Sequence, residues 1–417
     1  MSMYTTLDTT NAFEKLDYFK AEKSVKKLQK RIVEAYKKGN IKLMLYCQHV
    51  LIHSYYAKAL AVHKVCKKSG SKYPGIDGIT WSNFQDGMNS IFYLEPRHYK
   101  PKPLKRIYFT KSNGQKRPIG IPTLQDRAIQ TLYRFALEPI SEFTADSSSF
   151  AYRKNRNAKD AIIQINKILS ENKEFEFVLK VDIHSCFDSI SHDWLLDNIP
   201  FDRKLLLSVL KCGYVDNDVF YMNDRGIPQG GCLSSVLCNM TLDGLEALLA
   251  KHFCNDAQMV RYADDIAIFV APPLRAEDVL PVLSDFLDMR ALTLSKEKTQ
   301  FLNLEQGFDF LGYHIKKADG IITCVPSLSK KEKYLNSIKA TLQNNSDTPA
   351  VGMYKILSPR IRGWINYYIG VVPPYYLQET EFETMACINA LTGDTSLAAV
   401  INRKIFMKYD YFYYTQR

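Results

Sequence analysis

The amino-acid sequence predicts an α+β chain, and three observations carry that expectation. Helical patterning occupies both ends, from residue 13 to about 67 and again from Ser327. Between them lie strand pairs divided by turn residues, among them KPLKRIYFTKSNGQKRPIGIP and VRYADDIAIFV. An apolar strand, FEFVLKVDI from Phe175 to Ile183, runs into an acid, Asp182. At 417 residues the chain is long enough for two or three domains or subdomains. Its 46% hydrophobic and 24% charged residues describe a globular protein. No apolar run reaches the roughly 18 residues of a membrane span. The start, MSMYTTLDTTNAFEKLDYFK, has acids where a signal peptide needs an apolar segment. The nine cysteines form no CxxC pair, which suits a reducing cytoplasm better than a disulfide framework or zinc site.

Taken in order, residues 13 to about 67 read as two helices broken at Gly39-Asn40, a pair with C-cap chemistry. From Lys20 to Lys42 the chain carries nine Lys/Arg against two Glu, with Val25, Leu28, Ile32 and Ala35 as the apolar stripe. A solvated helix face and a polyanionic partner both account for that charge, and for a net charge of +11 and a pI near 9.0. The turn-rich GSKYPGIDG marks a boundary. A hairpin follows: a strand from Arg106 to Thr110, a loop around Asn113-Gly114, and a second strand through Ile121. Helices are expected from Leu124 to Phe143 and from Ala158 to Leu169. After the Phe175–Ile183 strand come two helices, a short strand pair around Val219 to Ile227, and a helix opening after Gly230-Gly231. VRYADDIAIFV reads as a hairpin with its turn at Ala263-Asp264, and the last helical region begins with Lys330, Lys331, Lys333 and Lys339.

Adjacent carboxylates such as Asp264 and Asp265 repel, and desolvating them is costly without compensation. If their hairpin neighbours the strand ending at Asp182, three acids converge at one sheet edge. Oxygen ligands with uncompensated negative charge select Mg²⁺ over softer metals. Two such ions about 4 Å apart can polarise an attacking hydroxyl and neutralise a leaving pyrophosphate. Turn formation and helix capping explain each aspartate equally well by itself. His184 and His192 flank Asp182, but their spacing fits no zinc pattern, and packing or capping is the better reading.

The neighbouring segments add a resemblance. YADD within RYADDIAIF resembles the catalytic motif of reverse transcriptases, specifically those of group II introns and their bacterial relatives. GIDGITW (75–81), KPLKRIYFTKSNGQKRPIGIPTLQDRAIQ (102–130), SSFAYRKNRNAKDAI (148–162), VDIHSCFDSISHDWL (181–195), GIPQGGCLSSVLCN (226–239), LTLSKEKT (292–299) and FDFLGYHI (308–315) stand in that family's order. The resemblance implies a right-hand polymerase fold: a basic helical N-terminal extension (1–70), fingers and palm with an antiparallel palm sheet (71–325), a helical thumb (326–370) and a short C-terminal tail (371–417). It implies an RNA-directed DNA polymerase with Asp182, Asp264 and Asp265 as catalytic acids. Asp182, Ile183, Asp264 and Asp265 would form the site for two Mg²⁺ ions. Phe187 falls where the family keeps a ring that clashes with a 2′-hydroxyl, Lys111 and Arg117 where it grips the triphosphate, and Gln229 at the nascent base pair. Lys298, in the EKT motif, would make a salt bridge or protonate pyrophosphate. The basic extension, through Lys26, Lys27, Lys30 and Arg31, would bind template RNA. Two motifs depart from the pattern: Ser234-Ser235 replaces the usual SP, and FAYRKNR replaces FGFRPGR.

Within the family the chain shows no Cys/His array or HNH-like cluster and no VTG signature. It looks most like the defence-associated, unknown-group reverse transcriptases, in particular the second class. That resemblance implies a bacterial cytoplasmic enzyme with an antiphage role, copying an adjacent structured non-coding RNA into repetitive cDNA. The other expectation is a group II intron maturase lacking an endonuclease and acting as a splicing cofactor. The tail rings Phe406, Tyr409, Tyr411, Phe412, Tyr413 and Tyr414 would pack on the thumb or stack bases, with a tyrosine hydroxyl as primer a sharper alternative.

Overall fold

The computed structural model describes residues 17–67, 69–81, 84–110, 114, 116–393, 395–407 and 409. Its strands in chain order are β1 (Leu104–Thr110), β2 (Lys116–Ile121), β3 (Phe177–Val181), β4 (Tyr214–Asp216), β5 (Val219–Tyr221), β6 (Ala257–Tyr262), β7 (Asp265–Val270), β8 (Gln300–Asn303), β9 (Phe308–Phe310), β10 (Tyr313–Ala318) and β11 (Ile321–Pro326).

Three helices open the described chain: Tyr18–Lys37, Ile41–His53 and Tyr55–Lys67. The break at Gly39-Asn40 forms as expected. Gly39 takes φ +67°, and the Asn40 side chain accepts from the Leu43 amide at 3.0 Å. The two-helix reading misses a second break at Ser54, where ψ swings to 131° with neither glycine nor proline to announce it. The stripe of Ala21, Val25, Ile32 and Ala35 is buried. It packs in one core with Leu132, Phe135 and Ala136 of the helix Leu124–Thr144.

β1 and β2 pair as the expected hairpin, and β4 joins β1 in parallel to give a sheet of order β2-β1-β4-β5. The strand pair expected around Val219 to Ile227 therefore lies earlier, at 214–221. Its turn is Asn217-Asp218, with φ of 48° and 65°, the two positive values that a type I′ hairpin turn needs. Between β3 and β4 there are three short helices, Cys186–Ser189, His192–Asn198 and Arg203–Leu210, where two were expected.

The palm sheet has order β6-β7-β3-β8 with every neighbour antiparallel. Ile266, Ile268 and Val270 of β7 enter one core, while Ala267 and Phe269 enter another. Burial on both faces is why this strand reads as a continuous apolar run rather than an alternating one. A three-stranded sheet, β11-β10-β9, carries the chain to the thumb. There Tyr313 donates to the Tyr367 carbonyl at 2.5 Å, Tyr367 to the Leu311 carbonyl at 2.7 Å, and Tyr368 to the Gly312 carbonyl at 2.9 Å.

The helices Leu328–Gln343 and Ala350–Tyr368 share a core with the chain that follows. Tyr334, Ile338, Leu357 and Ile361 pack with Ile388, Leu397, Ile401 and Phe406. Tyr409 donates to Asn366 Oδ1 at 2.9 Å. Tyr411, Phe412, Tyr413 and Tyr414 lie outside the described residues. No helix among the described residues is long and apolar enough to cross a membrane.

Candidate active site

The palm acids are gathered by strand register. β3 and β7 pair Val181 with Ile266, so Asp182, one residue beyond β3, and Asp265, the first residue of β7, reach the same sheet edge. Asp264 sits beside them in the two-residue turn closed by the Tyr262–Asp265 pair. That turn requires Ala263 at φ +60°. The LTLSKEKT segment zips onto the Asp182 strand end. His184 donates to the Thr293 carbonyl at 2.9 Å and Ser295 donates to the Asp182 carbonyl at 2.8 Å, bracketing an Ile183–Leu294 bridge. Lys298 Nζ stands 3.6 Å from Asp182 Oδ1, an ion pair open to solvent.

The acids feel one another. Asp265 is held above the usual carboxylate range by desolvation first and then by the Asp264 charge, with Lys180 opposing and Asp182 adding. Such a cluster offers oxygen donors only. Asp182 and Asp264 supply carboxylates. The bridge geometry, which spends the Asp182 carbonyl and the His184 amide, leaves the Ile183 carbonyl out of the pairing. The chemistry fits Mg²⁺, which takes one or two carboxylates and fills its remaining positions with substrate phosphates and water. Among the described residues, however, no three acidic, histidine or cysteine groups close into a ready-made metal cage.

Phe187 follows Asp182 on the short helix Cys186–Ser189, which is entered through Ser185 at φ +46°. Phe187 is partly buried, and its carbonyl accepts from the Ile227 amide at 2.6 Å. The PQGG loop is thereby tied to it. Gln229 Nε2 donates to Asp188 Oδ2 at 2.9 Å, and the Gln229 carbonyl accepts from the Gly120 amide at 2.9 Å. Gly230 adopts φ +107°, and a Cβ there would stand 2.2 Å from the Gly120 carbonyl oxygen. Only glycine lets the end of β2 approach this closely. Arg117 lies exposed on β2 opposite Phe109. The Tyr152 phenol is raised by burial, then by Cys238 and Asp264, while Arg117 lowers it. Lys111 lies outside the described residues.

Two functional supports escape the sequence reading. Asp188 holds Gln229, as above. Arg261, the first letter of RYADD, is fully buried. It donates to Asp243 and, at 3.4 Å, to Asn239 Oδ1, with Asp146 Oδ2 at 3.9 Å. Its backbone pairs with the Ser148 carbonyl and the Phe150 amide at 2.8 and 2.9 Å, so it pins the SSSFAYRKNR loop against the palm. Burial pushes Asp243 up to about 6, with Arg261 opposing and Asp146 adding to the rise. A charged residue inside an apolar strand was the available signal. His192 packs as expected, its Nε2 2.7 Å from the Gly226 carbonyl.

The basic residues of the first helix divide between its flanks. Lys27 and Arg31 line a cavity of about 650 Å³ shared with His49 and His53. Lys26 lines a second cavity, of about 330 Å³. Lys26 lies 3.9 Å from Glu22, and Lys30 3.9 Å from Glu34.

An antiparallel palm with acids at one edge, a glycine-walled loop beside it and a helical thumb defines the right-hand fold of a template-directed nucleic-acid polymerase. A sequence model of the family "Reverse transcriptase (RNA-dependent DNA polymerase)" matches residues 108–315, and one for the "N-terminal domain of reverse transcriptase" matches residues 13–94. The chain belongs to the reverse transcriptases and is an RNA-directed DNA polymerase of the group II intron-like kind. Protein YkfC of Escherichia coli (strain K12) is 28% identical over 306 residues, covering 62% of this chain and 79% of the relative. Maturase-like protein 1 of Euglena gracilis is 26% identical over 364 residues, covering 83% and 76%. The group II intron-encoded protein LtrA of Lactococcus lactis subsp. cremoris is 31% identical over 201 residues, covering 46% and 33%.

Proposed function

We propose that this enzyme extends a DNA 3′-hydroxyl by two-metal nucleotidyl transfer, copying a structured non-coding RNA encoded beside its gene into repetitive cDNA as an antiphage defence in the bacterial cytoplasm. The observation that carries the chemistry is the meeting of Asp182, Asp264 and Asp265 at one sheet edge. Two Mg²⁺ ions, when bound, activate the attacking hydroxyl and neutralise the leaving pyrophosphate. The chain's own groups do the positioning. Asp182, Asp264 and the Ile183 carbonyl would hold the ions, and Arg117 with Lys111 would grip the dNTP phosphates through charge-assisted hydrogen bonds. Gln229, fixed by Asp188, lies at the nascent pair. Phe187 rejects a 2′-hydroxyl by steric clash.

The defence reading and its template are supported by the resemblance of a group II-like core joined to a divergent C-terminal region. The test is to purify the protein from its native locus, sequence the RNA that accompanies it, and sequence the cDNA made on adding dNTPs and Mg²⁺. One adjacent non-coding RNA with tandem cDNA copies is the expected result; intron RNA, or no cDNA, overturns the reading. The second reading, an RNA-binding splicing cofactor, is favoured by the maturase-like relative and the basic first helix. Splicing that persists in Asp264→Asn would establish it.

A further inference from the structure

We propose that Asp188 is a positioning residue for the incoming nucleotide: it fixes the sense of the Gln229 side-chain amide, so that the carbonyl oxygen is the end left for substrate. This rests on the reading that Gln229 lies at the nascent base pair. The backbone around Gln229 is held from two sides. On one, the Gly226 amide donates to the Ile190 carbonyl at 2.8 Å and the Ile227 amide to the Phe187 carbonyl at 2.6 Å. On the other, the Gln229 carbonyl accepts from the Gly120 amide at 2.9 Å. Gly226, at φ +82°, lies so close to the Asp188 backbone that a Cβ would stand 2.6 Å from the Asp188 carbonyl oxygen. With the loop clamped in this way, the freedom that remains to Gln229 is in its side chain.

A glutamine amide has two ends of similar shape and opposite polarity: Oε1 only accepts and Nε2 only donates. An ionised carboxylate only accepts. The 2.9 Å hydrogen bond from Gln229 Nε2 to Asp188 Oδ2 therefore selects one of the two senses. It leaves Oε1 on the side away from Asp188, and no hydrogen bond among the described residues engages that atom. A free acceptor with a fixed direction is what a donor on a bound nucleotide can use without reorganising the site.

Asp188 is reserved for this contact. It is exposed, and no ion pair among the described residues engages it, although Arg106 and Arg225 line the same cavity of about 310 Å³. Arg106 lies 3.7 Å over the Tyr214 ring instead. Changing an exposed, unpaired side chain of this kind alters stability little. The hydrogen bond its carboxylate makes reaches a side chain 41 residues away, so its effect falls on where that side chain points. Asp188 also follows Phe187 directly on the four-residue helix Cys186–Ser189. One short element thus sets both the ring expected against the 2′-hydroxyl and the sense of the Gln229 amide.

The test is single-nucleotide incorporation on a defined RNA template with a DNA primer, at varied dNTP, with the thermal midpoint of each variant as the control for folding. Asp188→Leu, which leaves Nε2 unheld, should raise the dNTP KM by about 3- to 10-fold with kcat within about 2-fold of the parent and the midpoint unchanged. Asp188→Asn, whose amide accepts or donates and so tolerates either sense, should raise KM by about 2-fold as the competent sense falls to half. In a Gln229→Met background both substitutions should be silent, because the group they act through is gone. An unchanged KM in Asp188→Leu overturns the inference, as does the same rise in KM with Gln229 removed. A lowered midpoint and kcat at constant KM also overturns it, making Asp188 a structural residue. No incorporation by the parent protein overturns the functional reading and this inference with it, whereas incorporation indifferent to residue 188 overturns the inference alone.

Discussion

At the palm edge, aspartates far apart in sequence are carried together by a β-ladder, whereas along the first helix lysines close in sequence are dealt to opposite flanks by the helical period. In the palm the charges have no freedom to separate. β3 and β7 fix Asp182 and Asp265 at one edge, and Asp265 shows the strain in its raised pKa. On the helix, positions 24, 27, 28 and 31 share one flank while 22, 25, 26 and 29 share the other. Exposed side chains there adjust individually. Register thus builds a site in which one lost group is decisive, and helical spacing builds surfaces in which each group adds a graded share.

The largest expected effect follows from the first half of that contrast. Asp264→Asn should lower dNTP incorporation by on the order of 10³-fold or more, the scale of several kcal/mol of lost charge stabilisation. The thermal midpoint should hold or rise, because a like-charge neighbour of Asp265 is gone. A fall in both would mean that the acid is structural. Next comes Arg261→Met. It strands Asp146 and Asp243 in the interior, and breaking such a buried pair costs about 3–5 kcal/mol. Asp243 adds a pH signature. With its folded value near 6, above the ordinary 3.8, the native protein keeps a proton that the unfolded chain has released. Its contribution to stability is greatest below about pH 4 and is lost as pH rises through about 6. Above that, ionised Asp243 depends on Arg261, so denaturant titrations should find the variant's deficit larger at pH 8 than at pH 5.

What was legible in the sequence follows the same division. The palm hairpin, its turn at Ala263-Asp264 and the convergence of the acids could be read because apolar strand runs interrupted by acids are a local signal. The strand pair forms at 214–221, upstream of its expected place, because Asn217-Asp218 supplies the turn and VFY is its second strand rather than its first. Arg261 has no role legible in the sequence, because its partners, Asp146 and Asp243, come from separate segments that only the tertiary fold unites. Lys154 was visible only as a departure from a motif. Nothing local says that it lines one cavity with Lys64.

A smaller effect probes the steric element. Phe187 sits on a four-residue helix tied to the PQGG loop, so its ring is positioned by its neighbours rather than by a long element. Phe187→Ala should leave dNTP use within a few-fold while improving rNTP use by about 10- to 200-fold, the range one hydrophobic wall can supply. Unchanged discrimination would show that the 2′-hydroxyl is excluded elsewhere.

The smallest effect belongs to the first helix and tests whether its charge is graded. Lys27 and Arg31 share a cavity with His49 and His53, while Lys30 lies near Glu34 on the exposed surface. Lys27→Gln with Arg31→Gln should reduce the salt slope of RNA binding by about two. Lys30→Gln should reduce it by less than one, since an exposed pair contributes little net field. His49 is held below its ordinary 6.5 by desolvation, His53 and Arg97, with Asp202 opposing, so it adds positive charge only on the acid side of that value. RNA affinity should accordingly rise as pH falls below 6.5, and a His49→Gln variant should flatten that rise. If the three basic substitutions prove equal and pH has no effect, the helix acts as a uniformly charged rod, and the division between its flanks carries no binding information.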